Sequence, residues 1–122
     1  MLDHISIQCA DLDAGAAFYD AVLEPLGGRR IMEVGGSIGY GVDFPTFWVG
    51  QQTTGEGFRE SHIAFRAPGR EAVQTFFDVA VSLGADPLHE PRLWPEYHAG
   101  YFGAFVRDPD GNNVEAVHHT FG

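Results

Sequence analysis

The most restrictive feature of this sequence is an internal repeat, because it requires two similar units instead of one. Identical residues recur at an offset of 58 positions, among them His4 and His62, Phe18 and Phe76, and Asp20 and Asp78. A Leu-Gly pair follows in both copies after a one-residue deletion. A shared composition does not keep one register over roughly twenty positions, so the pattern indicates a duplication. We predict a single domain over 1–122 with two modules, about 1–52 and about 60–122, joined by TTGEGFRE.

Each copy predicts the element order β-α-β-β-β, which makes the chain an α+β protein. Alternating apolar residues mark the first strand of each copy, and helices are predicted over 13–24 and 70–83. Asp11 is the expected N-cap of the first helix, and Gly84 ends the second. Strands are predicted at 30–35, 38–43 and 46–50 in the first copy, and near 87–90, at 101–107 and at 113–118 in the second.

Charge and composition exclude several classes of partner. The net charge is −10 and all seven basic residues are arginine, so the surface repels nucleic acid and anionic membranes. Cys9 is the only cysteine, which rules out an internal disulfide and favours a reducing compartment. No apolar run approaches the roughly 20 residues that span a bilayer, and because MLDHISIQC already reads as a strand we expect no signal peptide before it. We expect a cytoplasmic protein.

The inner faces of the two predicted sheets carry the candidate chemistry. Strand alternation puts His4 and His62 on equivalent faces, and Glu115 lies within the apolar last strand, where burial without a partner is costly. Two imidazoles and one carboxylate suit a divalent metal ion, Zn²⁺, Mn²⁺, Fe²⁺ or Ni²⁺, and leave coordination positions open for a substrate. The alternative is two structural histidines and a glutamate at an exposed edge.

Three segments together resemble the vicinal oxygen chelate superfamily: DHISI at the start, SHIAF mid-chain and RDPDGNNVEAV near the end. This superfamily includes glyoxalase I, extradiol dioxygenases, fosfomycin-resistance enzymes and bleomycin-resistance proteins. The resemblance implies an eight-stranded, partly open barrel around a central site. It also implies metal ligands on the first and last strands of the modules, namely His4, His62 and Glu115. The fourth position falls at about Trp48, whose indole offers only an N–H donor and cannot bind a metal.

The resemblance implies a divalent-metal-dependent enzyme, a lyase, isomerase or dioxygenase-like protein, that acts on a small oxygen-chelating substrate. Two alternatives are a non-catalytic drug- or metabolite-binding protein of the bleomycin-resistance type and a protein with a vestigial site. Single-domain relatives usually pair as homodimers, so we expect a dimer. Whether His4 joins the other ligands from its own chain or from a neighbouring one stays open.

The segment WPEYHAGYFG is the candidate source of groups around the metal. Tyr97, His98 and Tyr101 are the expected catalytic residues, since they supply proton transfer or hydrogen bonds. The alternative is a turn that carries surface aromatic residues. The remaining histidines are interpreted as loop, surface or tail residues: His89, His118 and His119.

Aromatic residues supply a candidate wall for the substrate pocket. We expect Tyr40, Phe47, Trp48 and Phe102 to line it, although core packing explains some of them equally well. Such a wall favours a small, partly apolar substrate. Arg66 shares the strand face of His62 and could anchor one carboxylate or phosphonate.

Overall fold

The computed structural model describes residues 1–121 and contains two four-stranded sheets, each covered by one α-helix. The sheet of the first module has the strand order β1-β4-β3-β2 and is called the N-terminal sheet; the C-terminal sheet has the order β5-β8-β7-β6. The elements are β1 (Ile5–Cys9), α1 (Leu12–Leu23), β2 (Arg29–Val34), β3 (Ser37–Gly41), β4 (Phe47–Gln51), β5 (His62–Arg66), α2 (Arg70–Ser82), β6 (Pro87–Leu93), β7 (Tyr101–Arg107) and β8 (Asn113–His119).

The two sheets have the same connectivity, which confirms the predicted pair of β-α-β-β-β modules. In each module the first strand pairs in parallel with the last, and the other pairings are antiparallel. Ser6 stands opposite Trp48 in one sheet, and Ala64 stands opposite Glu115 in the other. Over residues 1–121 both sheets stay open and do not close into a barrel.

Local chemistry explains where α1 begins and how closely it packs. The Asp11 carboxylate accepts from the backbone N–H groups of Asp13 and Ala14, which satisfies two donors of the first turn. Gly15 lets the helix lie directly on β1, because a Cβ there would come within 2.6 Å of the Cys9 sulfur. A short 3₁₀ helix, Glu24–Leu26, follows α1, and the chain leaves the helical region at Gly27, whose φ of +88° favours glycine.

One hydrophobic core joins the two modules on the helix-covered sides of the sheets. The Phe47 ring packs edge-on against Tyr19 and Phe65, with centroids 4.9 and 5.1 Å apart. The Tyr19 hydroxyl donates to the buried Asp108 carboxylate at 2.7 Å, which ties α1 to the loop before β8. Because the core takes up the helix sides, the opposite face of each sheet is left uncovered. We call these the open faces.

Most predicted bounds shift by one or two residues, and two differences bear on the histidines. The edge strand β6 runs to Leu93, and its register shifts on both sides of His89, so bulges carry the strand through Pro91. The last strand extends one residue further, to His119. His89 and His119 are therefore strand residues, and the loop and tail interpretation of these two was wrong. No helix among the described residues has the length and apolar character needed to cross a lipid bilayer.

Candidate functional site

A buried glutamate lies at the centre of the open face of the C-terminal sheet. Glu115 stands on the interior strand β8 and is only 1% exposed. Its Oε1 lies 2.8 Å from His62 Nε2, and its Oε2 accepts a hydrogen bond from the Tyr101 hydroxyl. Both carboxylate oxygens therefore have a partner, as a buried charged group requires.

Small neighbours on the flanking strands make room for this carboxylate. Ala64 on β5 stands opposite Glu115, and Gly103 on β7 lies beside it. A Cβ on Gly103 would lie 3.2 Å from both Glu115 Oε2 and the Tyr101 ring, closer than most such contacts. Phe105, opposite Glu115 in register, closes the far side and packs against the His62 ring. Ala64, Gly103 and Phe105 thus form a niche that holds the Glu115 carboxylate and the Tyr101 phenol. We call it the Glu115 niche.

The electrostatics of the niche keep the Tyr101 proton in place. Burial, the hydrogen bond to Glu115 and the negative charge of that carboxylate all raise the pKa of Tyr101 well above its ordinary value. The phenol therefore stays protonated at neutral pH and acts as a donor to Glu115. The other carboxylate oxygen faces His62, whose side chain is about half exposed.

His62 and Glu115 fit a metal ion as two neighbouring ligands. A cation bound at about 2.1 Å by two adjacent ligands holds their donor atoms about 3 Å apart, close to the observed separation of 2.8 Å. Across residues 1–121, however, no three His, Cys, Asp or Glu side chains cluster closely enough to hold a metal together. The described residues of one chain therefore supply two neighbouring ligands at this point.

The third predicted ligand, His4, lies at the opening of a cavity instead. Its Nδ1 is 2.7 Å from the Asp3 carboxylate, and both side chains are exposed. His4 and His62 both border a cavity of about 350 Å³ at the starts of β1 and β5. The two histidines thus share a cavity, but His4 does not join the His62–Glu115 pair within one chain.

A second polar cluster occupies the end of the same open face. His98 Nε2 and His119 Nδ1 are 2.9 Å apart, and the Gly100 N–H donates to His98 Nδ1. The Tyr101 ring packs edge-on against both imidazoles, with centroids 5.7 and 5.1 Å away. Tyr101 therefore links this histidine pair to the Glu115 niche.

Comparison with known proteins places the fold in a family. A model described as Glyoxalase/Bleomycin resistance protein/Dioxygenase superfamily matches residues 1–116. The chain belongs to this superfamily. We refer to it below as the glyoxalase superfamily. A search of curated proteins gave no match.

Several solved structures of the glyoxalase superfamily are similar to this chain. A glyoxalase/bleomycin resistance protein from Albidiferax ferrireducens has 26% sequence identity and a TM-score of 0.85, and the match covers 96% of this chain and 98% of that one. A family enzyme from Burkholderia phytofirmans has 22% identity, covers 98% of both chains and has a TM-score of 0.71. A lactoylglutathione lyase from Agrobacterium tumefaciens has 20% identity, a TM-score of 0.70 and coverages of 97% and 92%. The similarities to the Burkholderia and Agrobacterium proteins lie below 25% identity and show the fold alone.

The predicted pocket residues of this glyoxalase-superfamily chain lie in several places. Tyr40, Phe47 and Arg66 border a cavity of about 180 Å³ between the modules, although Tyr40 and Phe47 are themselves buried in the core. Trp48 lies on the open face of the N-terminal sheet. Phe102 packs toward α2, where the Arg70 guanidinium lies over its ring. The structure therefore does not gather these residues into one wall.

An aromatic wall does border the Glu115 niche, but most of its members differ from those predicted. Trp94 is buried, donates from Nε1 to the Gly103 carbonyl and packs against Phe105. The predicted Tyr97 stacks on Trp94 and stays exposed, while the Arg92 guanidinium covers the Trp94 ring at 3.4 Å. Sequence reasoning missed Trp94 and Phe105 as wall residues, although the alternation of β7 places Phe105 on the face of Tyr101.

Proposed function

We propose that this protein is a divalent-metal-dependent enzyme of the lyase, isomerase or dioxygenase-like type that acts on a small oxygen-chelating substrate. The observation that carries the proposal is the buried Glu115 carboxylate 2.8 Å from the half-exposed His62 on an uncovered sheet face. A fully buried carboxylate is costly, and here both its partners lie on the open side of the sheet. Zn²⁺, Mn²⁺, Fe²⁺ and Ni²⁺ all accept this donor set.

The residues around the pair supply the remaining requirements of such a site. A bound divalent ion would polarise the neighbouring oxygens of a substrate and stabilise negative charge that develops on them. The Tyr101 hydroxyl holds a proton at Glu115 Oε2 and fixes the direction of the carboxylate. Phe105 and the buried Trp94 restrict water at one side of the pair.

We propose that His4 of a second copy completes the ligand set. His4 holds the same strand position in the first module as His62 in the second, and within one chain it does not reach the Glu115 niche. Both sheets leave their open faces without a cover, and a homodimer that pairs unlike sheets would bring a His4 to each niche.

The metal site is tested by uptake of Mn²⁺, Fe²⁺, Ni²⁺ and Zn²⁺ into metal-free protein, measured by elemental analysis and thermal shift. We expect one metal ion per chain and a raised melting temperature in the wild type. His62→Ala and Glu115→Gln should lose this uptake, while Glu90→Gln, an exposed carboxylate on β6, should retain it. Failure of every metal to bind the wild type would remove the basis of the proposal.

The origin of His4 is tested by mixing two inactive variants. If His4 comes from a second copy, a dimer of His4→Ala with His62→Ala contains one intact ligand set. Random subunit exchange should then restore metal binding at about a quarter of the sites. No restoration after verified subunit exchange would show that each site takes its ligands from a single chain.

A second candidate is a binding protein that sequesters a drug without turnover. The exposed Tyr97 beside Trp94 and the net charge of −10 favour an aromatic, cationic ligand on the same face. Calorimetric titration of metal-free protein with bleomycin distinguishes the two functions. Tight binding that survives Glu115→Gln would favour sequestration over the metal-dependent enzyme.

A further inference from the structure

The histidine pair at the end of the open face forms an in-line hydrogen bond. The two imidazole centroids are 5.2 Å apart and the ring planes differ by only 17°, while His98 Nε2 and His119 Nδ1 are 2.9 Å apart. The centroid separation exceeds the N–N distance by about one imidazole ring width, so both nitrogens lie near the line between the ring centres. Nitrogens that shared a metal would instead converge at an angle. The pair is therefore hydrogen-bonded and is not a second metal site.

The backbone fixes the direction of this hydrogen bond. The Gly100 N–H can only donate, so His98 Nδ1 must accept and the His98 proton lies on Nε2. His98 Nε2–H then donates to His119 Nδ1, which leaves the His119 proton on its Nε2. The hydrogen bonds from Gly100 to His98 and from His98 to His119 therefore point in the same direction. The last donor, His119 Nε2–H, has no protein acceptor among residues 1–121.

Packing holds the two rings in this arrangement, and electrostatics favour a neutral His119. The Phe121 ring lies nearly parallel to both imidazoles, at 17° and 10°. Burial, followed by the nearby His98 and Arg66, lowers the pKa of His119, and the weaker opposite effect of Glu115 does not reverse it. A neutral imidazole with a fixed tautomer is a directed donor and a poor base at neutral pH.

An unpaired cation lies near this donor. Arg66 is exposed on the strand face of His62, and it stands opposite Val117 on β8, two residues before His119. The arginines that form ion pairs in the described part of the chain are Arg30, Arg92 and Arg107. Arg66 therefore has its charge available to a ligand on this face.

We propose that His119 Nε2–H and Arg66 together bind an anionic oxygen group, a carboxylate or a phosphonate, at the end of the substrate away from the metal. The proposal rests on the proposed function and narrows its substrate to a molecule with two separated oxygen-bearing ends. His119 lies four positions after Glu115 on β8, about 13 Å of strand, and long side chains shorten the span that the ligand must cross. His98 acts as the positioning residue that sets the His119 tautomer.

The tautomer is tested by long-range ¹H–¹⁵N NMR of the metal-free protein. We expect His119 to carry its proton on Nε2 in the wild type and in His98→Gln, whose amide N–H₂ can still donate. His98→Glu should move the proton to Nδ1 or charge the ring, because a carboxylate only accepts. A wild-type His119 protonated on Nδ1 would overturn the assignment without any effect on the metal proposal.

The anion role is tested with two probes that share one metal-binding head. Metal-loaded protein is titrated with benzohydroxamate and with 4-carboxybenzohydroxamate, which adds a remote carboxylate. We expect about tenfold tighter binding of the carboxylated probe. Arg66→Gln and His119→Phe should each remove most of that preference, and His98→Glu should weaken it. Arg59→Gln, an exposed arginine of the linker, should leave it unchanged.

The outcomes separate the two proposals. If both hydroxamates bind equally well to the wild type, the metal site stands and the anion role of His119 and Arg66 is overturned. A preference that survives both substitutions overturns it in the same way. If neither probe binds, the proposed metal site fails, and the anion role fails with it.

Discussion

Trp48 in the N-terminal sheet and Glu115 in the C-terminal sheet hold equivalent positions, and the two open faces differ most at this point. Each residue lies on the strand parallel to the first strand of its module, opposite Ser6 in one case and Ala64 in the other. The strand pairing at this point is therefore the same in both sheets. The chemistry differs because one face carries an indole and the other a carboxylate with two hydrogen-bond partners.

The residues that lie beside Trp48 and beside Glu115 also differ between the two sheets. Gly39 faces Trp48, and a Cβ there would lie 2.8 Å from the indole, so the ring covers bare backbone. Phe105 holds the equivalent place beside Glu115. Its ring packs against His62 at the side of the carboxylate, whereas Gly39 has no side chain. A duplicated scaffold can thus keep its pairing while the exposed side chains of each copy acquire different roles. Among residues 1–121 the buried charged side chains, Asp108 and Glu115, both lie in the second copy.

The loops that precede the last strand of each module differ in how deeply their aspartates are buried. In the second module the Asp108 carboxylate is buried and accepts from the Tyr19 hydroxyl and from groups of Asp110 and Asn112. In the first module the corresponding loop exposes Asp43 and its neighbours. The loop of Asp108 therefore packs into the interior between the modules, whereas the loop of Asp43 lies on the surface.

The largest expected effect tests this loop comparison. Asp108→Ala should lower the free energy of unfolding by about 3–4 kcal/mol, because buried donors of Tyr19 and Asn112 lose their acceptor. Urea denaturation measures the change. Asp43→Ala in the matching exposed loop should leave the midpoint unchanged. Equal effects of the two substitutions would show that the loops do not differ energetically.

A smaller effect is expected from removal of the Tyr101 hydroxyl, which donates a hydrogen bond to Glu115. Tyr101→Phe leaves a buried carboxylate oxygen without a partner, which should cost about 1–2 kcal/mol of stability and about tenfold in metal affinity. The matched control is Tyr40→Phe, which removes a buried hydroxyl of the first module that donates to Asp20. That control should lose stability but keep its metal affinity. An unchanged affinity in Tyr101→Phe would separate Tyr101 from the metal niche.

The smallest effect compares two aspartates related by the repeat. Asp20 accepts from Arg30 and Tyr40, whereas Asp78 accepts from Gln74 alone. The hydrogen bond from Arg30 lowers the pKa of Asp20, helped by Tyr40 and by the Arg30 charge, against the opposing effect of burial. Asp20 is 41% exposed, so solvent screening limits the cost of Asp20→Asn to about 1 kcal/mol or less. Asp78→Asn should change stability less.

The pH dependence of this last pair has a definite sign. Because folding lowers the pKa of Asp20, its contribution to stability is complete above the unfolded value of about 4 and is lost as the pH falls through the folded pKa. Thermal unfolding between pH 7 and pH 3 should therefore show a stability gap between the wild type and Asp20→Asn that is constant down to about pH 4 and begins to close below it. A gap that closes near pH 6 would assign the effect to a histidine.

Much of the fold was predictable because its signals are local. The repeat of His4 at His62 and of Phe18 at Phe76, together with the alternation in each strand, predicted both modules and their order. The extension of β6 to Leu93 and of β8 to His119 was missed, since bulges and strand ends depend on the partner strand.

The candidate site was predictable only in part. His62 and Glu115 lie 53 residues apart in sequence, yet alternation on two strands was enough to name both. Alternation groups Tyr40 with Ile38 and Phe47 with Val49, but it does not show whether these faces meet the core or a pocket. The partnership of His98 with His119 depends on how β7 pairs with β8, which periodicity does not determine.

The sequence by itself determined two similar modules, their helices and strands, and which side chains share a strand face. These properties follow from periods of two and 3.6 residues, which are set by the backbone of each element alone. The tertiary structure decided that both sheets stay open, that Glu115 is buried with Tyr101 and His62, and that His4 lies apart from them. These properties depend on strand register and on packing between distant segments, where a shift of one residue moves every side chain to the other face.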